Sequence, residues 1–551
     1  MIEGLVPDRA GEPGLAVSLV RGSEVAARQY TGLATLGHRI PIGSATRFHI
    51  VSVSKTFTAA AVLVLAARGA LALDDDVRRH LPELPEAISR HGTVTIRHLL
   101  SMTSGLRDVL EIERLRGVWG STGSRTRDLF ELACRQRTVS APAGAQYMYA
   151  NVNVLLLEAV IERASGMPAE AFRRATIYEP LGLHATSARS HEGVILPDLA
   201  EPYVPDGRGG WTRPLDLLGI AADPLTTSLD DLSRWLLALR SGRIAGVDVG
   251  SAMAERTRLR DGRPVHYGLG LAVRRYRGLT VLCHTGSQPG YKAHIAYVPE
   301  QDVGVAILSN REDTNVTALA ATLIDRVVDQ ARPASVTPPR PAKADTTLAP
   351  PIDIDGTYVD VSAGEWVNLT VDSGVLRGDT LGDPFFLYRG DDGVFRDGDD
   401  YRATAPVELR VEADPQGAVC RLDVGGQSML LRKYNPPRYT TDALADFAGI
   451  YESLEMVSRH RIQVDNGRLV VDYGLGMDAA LRFPMEPIAP DVFLVRPTAP
   501  GVAYRHVFRF ERDTTGRVVA TVVTMERLKH ATLARIDDTP SSREAIPAKL
   551  P

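Results

Sequence analysis

Hydrophobic and polar positions change rhythm near residue 332. Before that point, helical and strand patterns alternate. Gly14 to Val20 and Val25 to Gly32 flank a Gly-containing turn and predict a β-hairpin. The alanine- and leucine-rich stretch from Lys55 to Gly69 predicts a buried helix stopped by glycine. Val281 to His284 and Val303 to Leu308 are short continuous apolar runs, as buried strands are. The first 330 or so residues are therefore expected to form one α/β or α+β domain, assigned to 1–332.

The segment 333–351 carries Pro333, Pro338, Pro339, Pro341, Pro350 and Pro351, so it cannot hold a helix or central strand and is expected to be an extended linker. Beyond it, short alternating runs separated by Asp/Gly/Asn turns take over. Gly356-Thr357-Tyr358 recurs as Gly449-Ile450-Tyr451, and Val371-Asp372-Ser373-Gly374 as Val464-Asp465-Asn466-Gly467, both shifted by 93. Glu412-Ala413-Asp414-Pro415-Gln416-Gly417 matches Glu511-Arg512-Asp513-Thr514-Thr515-Gly516 with a shift of 99. Asp-x-Gly turns recur in any β protein, but three anchors in one order favour one β unit written twice, at 352–434 and 444–540, with Pro436-Pro437 between the copies. Each copy is long enough for roughly eight short strands and a small closed barrel.

Composition narrows the class. The 551 residues are 44% hydrophobic and 24% charged with net charge −4, which suits a soluble globular protein and argues against nucleic-acid binding through bulk charge. The longest apolar run, Ala59 to Ala67, is too short to span a membrane, and Met1 to Asp8 lacks a basic region followed by an apolar one. A cytoplasmic protein without membrane partners is expected. Cys134, Cys283 and Cys420 are widely spaced and are expected to be buried free thiols. Only six of the 63 basic residues are lysines, so a motif that needs lysine has few chances to arise by accident.

One such motif is present. Ser52-Val53-Ser54-Lys55 follows the extended Phe48 to Val51 and opens the alanine-rich helix. Residues three apart share a helix face, so Lys55 can reach the Ser52 hydroxyl and help remove its proton, unless Ser52 is simply a cap. In Tyr149-Ala150-Asn151 a phenol able to shuttle a proton stands two residues from an amide able to hold a carbonyl. His284-Thr285-Gly286-Ser287 ends a predicted strand, where Gly286 permits close backbone approach and His284 offers a donor or proton relay. The chain has no H-E-x-x-H and no phosphate-cradling glycine motif with lysine, so neither a metal nor a cofactor is expected.

In order and context these three motifs resemble those of the serine β-lactamase and penicillin-binding-protein superfamily. Thr95 to Leu106, Tyr178 to Leu183 and Thr227 to Leu232 also resemble its landmarks. His284 stands where many penicillin-binding relatives carry lysine, which weakens recognition of a C-terminal carboxylate. That departure, together with two β units, resembles the D-stereospecific aminopeptidases: a β-lactamase-like α/β (α+β) catalytic domain followed by two antiparallel eight-stranded, lipocalin-like β-barrels. The resemblance implies Ser52 as nucleophile, Lys55 and Tyr149 sharing proton transfer, and backbone amides of Ser52 and Ser287 as oxyanion hole. It also implies Asn151 on the acyl side, His284 assisting binding or relay, a small peptide, amide or ester substrate, and a homodimer. A loop of the last barrel, here Tyr473 to Asp478, would reach the site, with Asp478 meeting the substrate's ammonium. An esterase, transacylase or peptide cyclase of the same fold, and a catalytically silent sensor, are the alternatives.

Overall fold

The computed structural model describes the chain apart from residues 1, 3, 119–124, 189–194, 215–224, 332–353, 373–374, 383–384, 391, 397–406, 415–416, 425–426, 475–480, 500–501 and 537–551. The proposed linker and Asp478 thus lie outside the described residues.

Six strands form the sheet of the first domain: β1 (Leu15–Arg21), β2 (Glu24–Thr31), β3 (Ala272–Tyr276), β4 (Leu279–Gln288), β5 (Tyr291–Val298) and β6 (Val303–Ser309). All neighbours are antiparallel, in the order β3-β4-β5-β6-β1-β2, so the two ends of the domain meet at its centre. Four longer helices frame it: α1 (Lys55–Ala67), α2 (Asn151–Ser165), α3 (Leu229–Ser241) and α4 (Val316–Ala331).

The nearly continuous apolar runs in β1, interrupted by Ser18, and in β6 reflect burial on both faces. Val17, Leu19, Val305 and Ile307 pack with Leu323, Ile324 and Val327 of α4, while Ala16, Val20, Ala306 and Leu308 share a core with Leu232, Trp235 and Leu236 of α3. Helix α1 lies deeper still, with every residue from Lys55 to Leu65 buried. It ends two residues before Gly69, whose left-handed backbone (φ 73°) lets its own N–H reach the Ala66 carbonyl and that of Ala70 reach Leu65.

Eight antiparallel strands among the described residues, from Gly356–Asp360 to Gln427–Tyr434, close one barrel. Eight more, from Gly449–Ser453 to Leu528–Ile536, close a second. The repeat seen in sequence has a structural counterpart. Tyr358 and Tyr451 each open the first strand of a barrel, and each donates its buried hydroxyl to the carbonyl four residues upstream, Ile354 at 3.1 Å and Phe447 at 2.8 Å. The second copy adds a small ladder, Thr498–Ala499 with Val502–Ala503.

The second barrel is docked on the first domain. One continuous apolar cluster runs from α1 through Leu115 and Leu129 to Tyr451, Tyr473 and Phe493 inside the barrel. Buried Arg107 bridges the seam: Nε donates to the Lys529 carbonyl (3.0 Å), Nη2 to that of His530 (2.7 Å), and Nη1 pairs with Glu455 (3.0 Å). Its planar fork satisfies three acceptors from the barrel at once, a geometry lysine cannot reproduce.

Candidate active site

Ser52 lies in a single 3₁₀ turn, Val51–Ser54, that leads directly into α1. In such a turn residues three apart eclipse one another, and Lys55 Nζ donates to Ser52 Oγ at 3.0 Å. The residue before the serine is strained: Val51 has φ 49°, a region that a β-branched side chain rarely enters. The Ser54 hydroxyl, bonded to the Val51 carbonyl at 2.6 Å, holds that conformation.

Strand β4 forms the wall opposite this turn. A methyl group on Gly286 would stand 2.3 Å from the Ile50 carbonyl oxygen and 3.0 Å from both the Ser52 nitrogen and Val51 Cβ. Only glycine allows the strand to come this close to the serine's backbone. Its neighbour Ser287 accepts a hydrogen bond from Lys292 Nζ at 2.7 Å, and Lys292 is in turn paired with Glu312 at 2.7 Å.

Tyr149 and Asn151 enter from the start of α2. The ring of Tyr149 lies 5.4 Å from Lys55 Nζ and 6.3 Å from the imidazole of His284, centroid to centroid. Its phenol oxygen is buried with no hydrogen-bond partner among the described residues. Asn151 is held by a residue that sequence reasoning gave no role, Asp108. One Asp108 oxygen accepts from both the backbone N–H and the side-chain amide of Asn151, the latter at 3.0 Å. The other accepts from the Leu110 N–H at 2.8 Å. The carboxylate thus satisfies first-turn amides of two helices and fixes the Asn151 side chain between them.

His284 is engaged at both ring nitrogens. Nδ1 faces the Thr285 carbonyl at 3.1 Å and must carry the proton, so Nε2 accepts from the Tyr267 hydroxyl at 3.1 Å. Burial, then the nearby Lys55 charge, push its pKa down to about 3, which leaves the imidazole neutral at physiological pH. Burial acts likewise on His294 and His460, also pushed down to about 3. The unfolded chain takes up these protons near pH 6.5 and the folded chain only near 3, so their stabilising contribution is complete above 6.5 and is lost as pH falls. The midpoint of thermal unfolding is therefore expected to fall steadily between about pH 6.5 and 4.5, before most carboxylates titrate. Calorimetry across that window checks this, and a flat midpoint would contradict it.

The structure brings together Ser52, Lys55, Tyr149, Asn151, His284, Gly286 and Ser287, while Asp478 lies outside the described residues. A different loop of the second barrel does arrive: the turn between Val518–Met525 and Leu528–Ile536 places the Arg527 guanidinium 5.1 Å from the centre of the Tyr149 ring. Among the described residues no three His, Cys, Asp or Glu side chains are grouped as metal ligands would be, and no helix is long and apolar enough to cross a membrane.

Comparison with known proteins places this geometry in context. A family model described as beta-lactamase matches residues 2–330. A D-aminopeptidase of Cereibacter sphaeroides is 24% identical over 496 residues, covering 89% of each chain. Esterase EstB of Burkholderia gladioli is 34% identical over 261 residues, covering 41% of this chain and 66% of its own. Among solved structures, the octameric penicillin-binding protein homologue from Pyrococcus abyssi superposes with a TM-score of 0.54 at 22% identity, covering 76% of this chain and 96% of its own.

Proposed function

The chain belongs to the beta-lactamase family, and on that premise we propose that it is a serine hydrolase releasing N-terminal D-amino acids from short peptides, amides or esters through an acyl-enzyme. Ser52 Oγ attacks the substrate carbonyl. Lys55, which donates to that oxygen at 3.0 Å, and Tyr149 share the transfer of the serine's proton to the leaving nitrogen or oxygen. The amides of Ser52 and Ser287 receive the developing oxyanion, aided by the close approach of Gly286 to the nucleophile's turn. Asn151, clamped by Asp108, holds the acyl part of the substrate. Neutral His284 orients Tyr267 at the back of the site. Water then enters, attacks the ester carbon on Ser52 and regenerates the hydroxyl.

One observation carries the aminopeptidase reading over the esterase reading. Similarity to the Cereibacter D-aminopeptidase continues through the barrels over 89% of both chains, whereas the likeness to esterase EstB covers 41% of this one. The higher identity to EstB within that shorter span keeps ester hydrolysis as the second reading. Asp478 is proposed, on sequence alone, to pair with the substrate's ammonium, and a homodimer rests on the resemblance alone, which light scattering of the full chain reads.

The test is a matched panel of D- and L-aminoacyl p-nitroanilides and esters, each with a free and an acetylated amine. Turnover is expected for the free D-compounds, with at least about a hundredfold preference over L, a difference of about 2.7 kcal/mol. Turnover confined to acetylated or ester substrates would replace the aminopeptidase by an esterase.

A further inference from the structure

The hairpin turn that carries Arg527 contacts Tyr149 of the second motif directly and Asn151 through Asp108. The Arg527 carbonyl accepts the backbone N–H of Asp108 at 3.0 Å, and Asp108 holds Asn151. Its guanidinium stands 5.1 Å from the Tyr149 ring centre, so the ring has two cations beside it, Lys55 and Arg527. The strand-borne histidine at the same site adds no positive charge, since both its nitrogens are committed to neutral partners.

The charged groups around Arg527 are otherwise occupied. Glu111 is paired with Arg114 at 2.7 Å, and both oxygens of Asp108 bind amides. Glu526, its neighbour on the turn, contacts Nε and Nη2 at 3.2 Å, which leaves Nη1 without a hydrogen-bond partner among the described residues. These carboxylates keep the guanidinium charged but do not withdraw it from the ring.

A cation beside an aromatic ring gains more when that ring becomes an anion, because charge–charge attraction is added to the charge–quadrupole term. We infer that Arg527 is a positioning residue for Tyr149: supplied by the second barrel, it stabilises the phenolate formed as the Tyr149 proton passes to the leaving group. This rests on the acyl-transfer reading above. The balance is simple: the O–H bond of Tyr149 breaks, the leaving atom gains the proton, and the phenolate recovers a proton from the Ser52–Lys55 pair in the same cycle.

A series of acetate esters with leaving groups from p-nitrophenol to trifluoroethanol tests this without invoking an amino acid. A good leaving group departs unprotonated, and a poor one needs the proton. In Arg527→Met, kcat/KM for p-nitrophenyl acetate is expected to stay within about twofold of wild type, while that for trifluoroethyl acetate falls at least about tenfold. Arg527→Lys, which keeps a cation, is expected to restore most of the loss. Both variants keep the backbone carbonyl that binds Asp108, so undocking of the turn is not the cause of a change. Equal losses on all esters, no loss, or a lysine variant as impaired as methionine would overturn the role of Arg527. A wild type that acylates Ser52 with these esters but turns over no D-aminoacyl substrate overturns the substrate reading only. A wild type in which Ser52 is not acylated overturns both.

Discussion

Ser52→Ala is expected to reduce turnover on the order of 10⁵-fold, to the level that binding alone sustains. The geometry makes this the most damaging single change for activity. Ser52 Oγ is the atom that Lys55 reaches, and among the described residues no other hydroxyl shares that contact. The protein itself should be little disturbed, because the lost group accepts one hydrogen bond in a turn whose shape is set by Val51 and Ser54. Intact-mass analysis after exposure to a β-lactam or fluorophosphonate should show one adduct on the wild type and none on the variant. A variant that retains turnover or still gains the adduct would remove Ser52 from the mechanism.

Gly286→Ala comes next. The added methyl would meet the Ile50 carbonyl at 2.3 Å and the Ser52 nitrogen at 3.0 Å, and both are backbone, which cannot swing aside as a long side chain can. Strand β4 or the nucleophile's turn must shift, and either movement misaligns an oxyanion-hole amide. Loss of one such donor costs roughly 10²–10³ in kcat, or about 2.7–4 kcal/mol. The loss should appear in kcat for amides and esters alike, since both pass through the same oxyanion. Activity within threefold of wild type would place the oxyanion hole elsewhere.

What could be read in the sequence was local or repeated. Ser52 and Lys55 are three residues apart, so helical geometry alone joins them. The two β units announced themselves because the same turns recur at nearly constant spacing, and Tyr358 and Tyr451 perform the same task in each barrel. What could not be read depends on contacts between distant segments. Asp108 grips Asn151 across 43 residues, and Tyr267 bonds His284 across 17. Val51 gave no warning of a left-handed backbone, since its type argues against one. Arg527 sits in a turn with no distinguishing pattern, and its place beside Tyr149 becomes visible only when the second barrel is docked. The loop expected to reach the site, Tyr473 to Asp478, lies from residue 475 on outside the described residues, and the Arg527 turn is a further contact from the same barrel.

The docking of that last hairpin also sets an order of events during synthesis. A ribosome that has released Ser52, Lys55 and Tyr149 must still add nearly 380 residues before Arg527 emerges, which takes roughly 20 to 75 s at about 5–20 residues per second. Once β6 has emerged the first domain can fold around its own sheet, while the second barrel's side of the site is still uncovered. The seam that Arg107 ties closes only when Lys529 and His530 arrive. Docking of that turn is thereby a late event in synthesis, made by residues 475 positions beyond the reacting serine.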